Sequence, residues 1–444
     1  MAKQTTVAND QGLRLRRQGK AVPALPKALH TTRRRRAHPL AARVLFPPTA
    51  ARCAERGAWS PAGSGGLFMI AEMGMESGGT PLKRLQSLAL RGPDARVAAV
   101  IIGQKCALLF LLLLSAPLFP SHFAGATGDM RFRTWDTGPY LEIARDGYRN
   151  PNTRAFYPLW PTCIRAGSWL TGGHTLIAGY LLANLLSLAG LLIFHRLVWE
   201  SHGLRAAYCA TLLLLLFPGA LFLVVPYSES LFLFLLMASV WLARRKALLT
   251  AAVVGALLPL TRATGIFAAP LLAWLAFQHQ RRLLACLVCL GPLVGYAAYF
   301  AAMWRWAGSP WAGFAAQQMY PGQPSLSKIA DVSGFMHCLL GFGWQHDFFH
   351  SFLDRAAFIV FLAALFPISR LGAGYYCYAF LAGLVPAMSN SMMSFSRFAV
   401  LVFPMFIVLG VAAKRSRLLP FVLMLSFGLQ VLLLLRYTSG AWAG

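Results

Sequence analysis

The sequence predicts an all-α polytopic membrane protein, on three observations. Of 444 residues, 57% are hydrophobic and only 12% charged, whereas soluble globular chains carry about a quarter charged residues. From about Val97 to the C-terminus, apolar runs long enough to cross roughly 30 Å of hydrocarbon recur. Many of these runs are interrupted only by Gly, Pro or a short basic cluster. Backbone groups in lipid must be satisfied within the spanning structure, so these runs are read as helices.

Taken in order, residues 1–96 come first, with 17 Lys and Arg against 5 Asp and Glu and a run from Arg33 to Arg36. The stretch has no sustained period of 3.6 or 2 and is read as a disordered basic extension, or as sequence upstream of the true start, with Met69, Met73 or Met75 as alternatives. No cleavable signal peptide is visible. The membrane domain is placed at residues 97–444, as a bundle of roughly 9–11 spans. Helices are expected near 97–119, 174–198, 205–225, 229–243, 247–260, 264–278, 283–303, 352–368, 372–389, 397–413 and 418–436.

Charge then orients the spans. With the basic N-terminal segment in the cytoplasm, Lys or Arg falls in every cytoplasmic loop, namely His195–Arg205, Arg244–Lys246, Arg281–Arg282, the turn at Arg370 and Lys414–Arg417. The external face receives the 120–173 loop, which carries the short amphipathic helices, and the turns at Pro226–Ser230 and Thr261–Gly265. It also receives the 304–351 loop and Ser394–Arg397. The formal charge of +27 is explained by loop cations and the basic extension. A basic patch interleaved with stacking aromatics is absent, so no nucleic-acid partner is expected. The 8 cysteines are scattered, and the apolar surroundings of Cys286 and Cys289 read as core packing. His346, Asp347 and His350 have helical spacing but no third ligand, so no metal site and no required cofactor are expected.

The polar clusters carry the chemistry. The first external loop holds Asp129, Asp136, Glu142 and Asp146, four of the chain's 14 acidic residues, at the lip of an apolar bundle where acids need a reason. Gly138-Pro139 forces a turn directly after Trp135-Asp136. Beyond it, Leu141, Ala144 and Tyr148 recur at helical spacing, which predicts a short amphipathic helix on the membrane with Asp136 near its start. Spacing alone leaves Asp136 two roles, helix cap or catalyst. Glu229 is likewise open between function and complementing a helix dipole.

These residues stand in an ordered series. Trp135, Asp136 and Tyr140 match the Trp-Asp-x-x-x-Tyr motif of the PIG-V-like mannosyltransferases, and the chain resembles that family over about residues 97–436. Phe156 to Pro161 resembles its aromatic block, with Tyr157 and Trp160 permuted. Tyr227-Ser228-Glu229-Ser230 resembles its Tyr-Ser-Glu-Ser block, Leu260 to Gly265 its Leu-Thr-Arg-x-x-Gly turn, and Ser396-Arg397-Phe398 with Phe403-Pro404 its later Arg segment. Gly308-Ser309-Pro310 through Gln317 resembles a further block, with Ser309 where Asp is expected.

The resemblance implies a GT-C-like bundle that takes a sugar, mannose by family analogy, from a polyprenyl-phosphate donor.

 The sugar passes to a glycan or glycolipid acceptor on the external face, in contact with membrane lipids. A polyprenyl phosphate leaves as a stable anion, so the reaction needs a base for the acceptor hydroxyl more than an acid. Asp136 is the expected base, acting with inversion at the anomeric carbon. Arg262 and Arg397 are expected at the departing phosphate, with snorkelling as their other role. Trp135, Tyr140, Tyr157, Trp160, Glu229 and Gln317 complete the expected substrate site, although interface anchoring explains such aromatics equally well. The alanine- and leucine-rich composition points to a bacterial plasma membrane. A transporter or lipid flippase is the alternative, but it would favour two related halves, and no internal repeat is visible. A structural scaffold would leave the one-sided clustering of acids and aromatics unexplained.

Overall fold

The structure is a computed structural model that describes residues 93–118, 131–279, 282–320, 324–341, 345–348 and 351–444. Residues 1–92, Asp129, Arg281 and His350 lie outside the described residues, so the readings that rest on them stand as expectations. The chain divides between Thr80 and Pro81, and every described residue belongs to the second unit.

Helix α1 spans Pro93–Leu118, with Pro at its first position, where a missing N–H costs nothing. Two short helices of the first loop follow, α2 (Thr137–Asp146) and α3 (Leu159–Ser168). The bundle continues through α4 (Thr175–His202), α5 (Leu204–Leu215), α6 (Glu229–Arg244), α7 (Leu248–Thr261), α8 (Ala268–Phe277) and α9 (Arg282–Ala307). The second large loop carries α10 (Ala312–Gln317) and α11 (Val332–Leu340). Helices α12 (Phe352–Ser369), α13 (Ala373–Ser389), α14 (Phe395–Ala399), α15 (Phe403–Ala413) and α16 (Leu419–Ser439) complete the chain. The described residues contain no strand, and the all-α polytopic membrane class holds.

Among the described residues five helices are long and apolar enough to cross a membrane: Asp94–Ser115, Thr175–His202, Leu284–Ala307, Phe352–Ser369 and Leu419–Ser439. The other apolar helices are shorter, and two of the expected spans are broken. The helix expected over 205–225 stops at Leu215, and Phe217, before Pro218, takes φ −57° and ψ 138°. A proline disfavours helical geometry in the residue before it, so the chain proceeds as a 3-10 turn, Pro218–Leu223. The helix expected over 397–413 splits into α14 and α15 across Val400–Val402, and Pro404 sits in the first turn of α15, where a missing N–H costs nothing.

Side-chain packing joins the helices. Helices α4, α5, α6 and α15 surround a core containing Phe194, Phe232, Leu236, Phe403 and Phe406. Helix α9 lies against α7, and a Cβ added at Gly295 would meet the Ala256 carbonyl. Small residues let helix backbones approach in lipid, where packing rather than water exclusion drives association. The CxxC departs from the expected core packing: Cys286 is exposed and Cys289 only partly buried on α9. His346 pairs with Ser351 in an isolated bridge and is not on the helix that its spacing to His350 suggested.

Helix α6 separates two charge clusters. Its last residue is Arg244, beyond which Arg245 pairs with Glu200 at 2.7 Å, and Arg196 reaches Glu200 at 3.0 Å and Asp94 at 3.7 Å. Glu229 begins the same helix. At about 1.5 Å per residue the two ends lie roughly 22 Å apart.

Candidate active site

The residue before Asp136 holds an unusual backbone. Trp135 has φ +53°, in the left-handed region that non-glycine residues enter at a cost of about 1–3 kcal/mol. Its indole donates to the Ala441 carbonyl at 3.1 Å, and its ring meets Phe348 and Trp442 edge-on. This turn delivers Asp136 to the start of α2, as expected, whereas Gly138-Pro139, expected to turn the chain after Asp136, lie within the first turn of the helix. The Asp136 side chain makes no capping hydrogen bond, so capping does not account for it. Instead Asp136 Oδ2 pairs with Arg397 Nη1 at 2.6 Å, across 261 residues of sequence.

Glu229 occupies the first turn of α6 and is fully buried. Its Oε1 accepts from Arg262 Nη1 at 2.6 Å and also from Arg397 Nε. Two carboxylates and two guanidiniums thus form one chain, Asp136–Arg397–Glu229–Arg262, with no net charge. Such pairing is what a buried ion needs, since an isolated buried charge is costly. The acids differ in access: the Asp136 side chain is 29% exposed and that of Glu229 is 0% exposed. Asp136 is therefore the more accessible carboxylate of the two.

Aromatic and hydroxyl groups fix this network. The Arg397 guanidinium lies 4.5 Å from the Tyr227 ring centre and 5.2 Å from that of Phe222, within cation–π range. The Asp136 backbone N–H donates to Tyr227 Oη at 3.3 Å. Tyr140 Oη donates to Ser228 Oγ at 3.0 Å, and Arg262 donates to the same hydroxyl at 3.1 Å. Burial pushes the Tyr140 phenol above its ordinary range, which keeps it a protonated donor. Asp354 Oδ1 accepts from the Ser396 backbone N–H at 2.7 Å, immediately before Arg397.

The other expected site residues sit apart from this network. Trp160 is fully buried with its indole donated to the Pro226 carbonyl at 3.1 Å, so it supports the turn before Tyr227. Tyr157 is buried and stacks on Tyr299 at 4.4 Å. Gln317 ends α10, which packs on the 3-10 turn Pro151–Ala155. Arg262 and Arg397, expected at a phosphate, are both engaged by carboxylates. Tyr227, Ser228, Phe222 and Asp354 were not singled out from the sequence. The Tyr-Ser-Glu-Ser block was a signal for the first two, whereas nothing in the local sequence marks Phe222 or Asp354.

No group of three or more His, Cys, Asp or Glu able to hold a metal occurs among the described residues.

Residues 111–321 match the family described as Mannosyltransferase (PIG-V). The GPI alpha-1,6-mannosyltransferase 2 of Rattus norvegicus is 29% identical over 179 residues, 38% of this chain and 36% of that protein. Its Mus musculus counterpart is 34% identical over 111 residues, 23% of this chain and 22% of that protein. The chain therefore matches about a third or less of the length of these relatives. Two structures of the Archaeoglobus fulgidus oligosaccharyltransferase are more distant. The one tethered to an acceptor peptide has 12% identity and a TM-score of 0.38 over 76% of this chain and 55% of that one. The complex with zinc and sulfate has 13% identity and a TM-score of 0.39, over 76% and 53%. Asp136, Glu229 and Arg262 fall inside the family match and Arg397 beyond it. The chain is thus similar to the PIG-V mannosyltransferases, the family its ordered motifs resemble.

Proposed function

We propose that the chain is a membrane glycosyltransferase of the GT-C class, a mannosyltransferase that uses a polyprenyl-phosphate sugar donor and a glycan or glycolipid acceptor at the external face. The observation that carries this reading is the partly open Asp136 carboxylate held by Arg397, at the edge of an otherwise buried ion network. In the reaction an acceptor hydroxyl oxygen attacks the anomeric carbon. Its proton passes to an Asp136 carboxylate oxygen. The bond from the anomeric carbon to the phosphate oxygen breaks, and its electron pair leaves with the polyprenyl phosphate. One displacement gives inversion.

The network supports this step by positioning. Arg397 bridges both acids, so Asp136 does not have to be reoriented when the acceptor arrives. Glu229 neutralises the inner faces of both guanidiniums, leaving the open carboxylate as the group that meets the substrate. The test is sugar transfer by purified protein in lipid nanodiscs, comparing labelled polyprenyl-phosphate mannose with labelled GDP-mannose. Transfer from the lipid donor alone supports the reading. Transfer from GDP-mannose would overturn the donor assignment, and movement of the lipid without transfer would favour a transporter.

A further inference from the structure

The connection between α5 and α6 is buried from Pro218 to Glu229 without being α-helical until its end. Irregular backbone at membrane depth persists only where protein groups satisfy it. Here side chains answer several carbonyls in and beside the segment. Gln430 Nε2 donates to Leu215 O and Phe217 O, each at 3.2 Å. Ser187 Oγ reaches Leu223 O at 2.8 Å and Asn184 Nδ2 reaches Val224 O at 2.9 Å. Trp160 Nε1 donates to Pro226 O at 3.1 Å.

Lys105 stands out in this set. It is buried in the middle of α1, a membrane-spanning helix, and its partners are all neutral. Its Nζ meets Ser187 Oγ at 2.6 Å, Leu223 O at 3.0 Å and Asn184 Oδ1 at 3.5 Å. An ammonium offers three donors and no acceptor, and three oxygens face it. The neighbouring Gln104 donates to Gln430 Oε1 at 2.9 Å, so adjacent residues of α1 serve both ends of the irregular segment. A cation inside a span is costly, and helix packing alone does not require one.

The segment it holds is the floor of the active site. Phe222 and Tyr227 lie against Arg397, Ser228 takes two hydrogen bonds, and Glu229 follows. We propose that Lys105 is a positioning residue for the Asp136–Arg397–Glu229–Arg262 site, acting through the Leu223 carbonyl and the Pro218–Val225 backbone. This assignment rests on the reading of that site as catalytic.

The experiment compares wild type, Lys105→Met and Lys105→Gln as full chains in nanodiscs. Met keeps the length without a donor, and Gln restores a donor without the charge. Two quantities are read: amide hydrogen exchange across residues 218–228 and 394–402, and kcat and KM per folded molecule with polyprenyl-phosphate mannose. Lys105→Met is expected to accelerate exchange in those two segments selectively and to lower kcat roughly 10- to 100-fold, with KM little changed. Lys105→Gln is expected to recover much of both. Unchanged kcat per folded molecule in Lys105→Met, or faster exchange spread evenly over all helices, would overturn the assignment. If wild type itself transfers no sugar, the functional reading fails, and the exchange comparison alone decides whether Lys105 holds the segment.

Discussion

At the scale of single residues, Glu229 is the least replaceable member of the network. It is the one acid that touches both arginines. Glu229→Gln leaves Arg397 with Asp136 alone and takes the carboxylate from Arg262. Breaking a buried ion pair on one side costs roughly 3–5 kcal/mol, so the thermal midpoint of the purified variant should fall clearly below that of wild type. An unchanged midpoint would mean that Glu229 is not a keystone of the site. The sequence made all four charged residues legible, because each stood in a polar cluster between apolar spans. It could not tell which acid paired with which arginine. Asp136 and Arg397 are 261 residues apart, and only the folded chain joins them. Lys105 was not singled out from the sequence, where it is a lone cation in an apolar run with no sign of the carbonyl it meets.

At the scale of elements, proline placement shapes the site. Phe217-Pro218 ends α5 early, and the resulting turn passes so close to the α14 loop that a Cβ at Gly219 would meet the Ser396 carbonyl and lie 3.0 Å from Arg397 N. Gly219→Ala should therefore displace Arg397 and lower kcat by more than the loss of folded protein explains. Normal kcat in the folded fraction would show that the approach is not critical. The sequence-based helix over 205–225 missed this turn, since hydropathy continues unbroken through Pro218 while hydrogen bonding does not.

The 345–348 loop offers a pH test at the same scale. Burial lowers the His346 pKa from its ordinary 6.5, opposed by the Asp354 carboxylate and reinforced by Arg436. Between the lowered folded value and the ordinary value, the unfolded chain binds a proton that the folded chain does not. Stability should therefore fall as pH drops through that window. His346→Gln should flatten the dependence of thermal midpoint on pH between about 7 and 5, and an equally steep profile would remove His346 as its cause.

At the scale of the whole molecule, the two ends of α6 separate the basic Glu200–Arg245 cluster from the Asp136 network. The fold class and the approximate places of the apolar helices were legible because hydropathy and loop charge are summed over many residues, whereas the helix lengths were not. Orientation is tested by labelling single cysteines in a background without the native ones. Asn152→Cys should react with an impermeant maleimide added outside intact cells, and Ser416→Cys only after the membrane is opened. The reverse pattern would invert the topology and place the site in the cytoplasm.

The most direct test of the central claim is transfer from labelled polyprenyl-phosphate mannose by wild type and Asp136→Asn at equal folded amounts, with donor binding measured in parallel. Transfer by wild type, lost in the variant while donor binding persists, is the expected result. Equal transfer by both proteins would contradict the claim that Asp136 is the base.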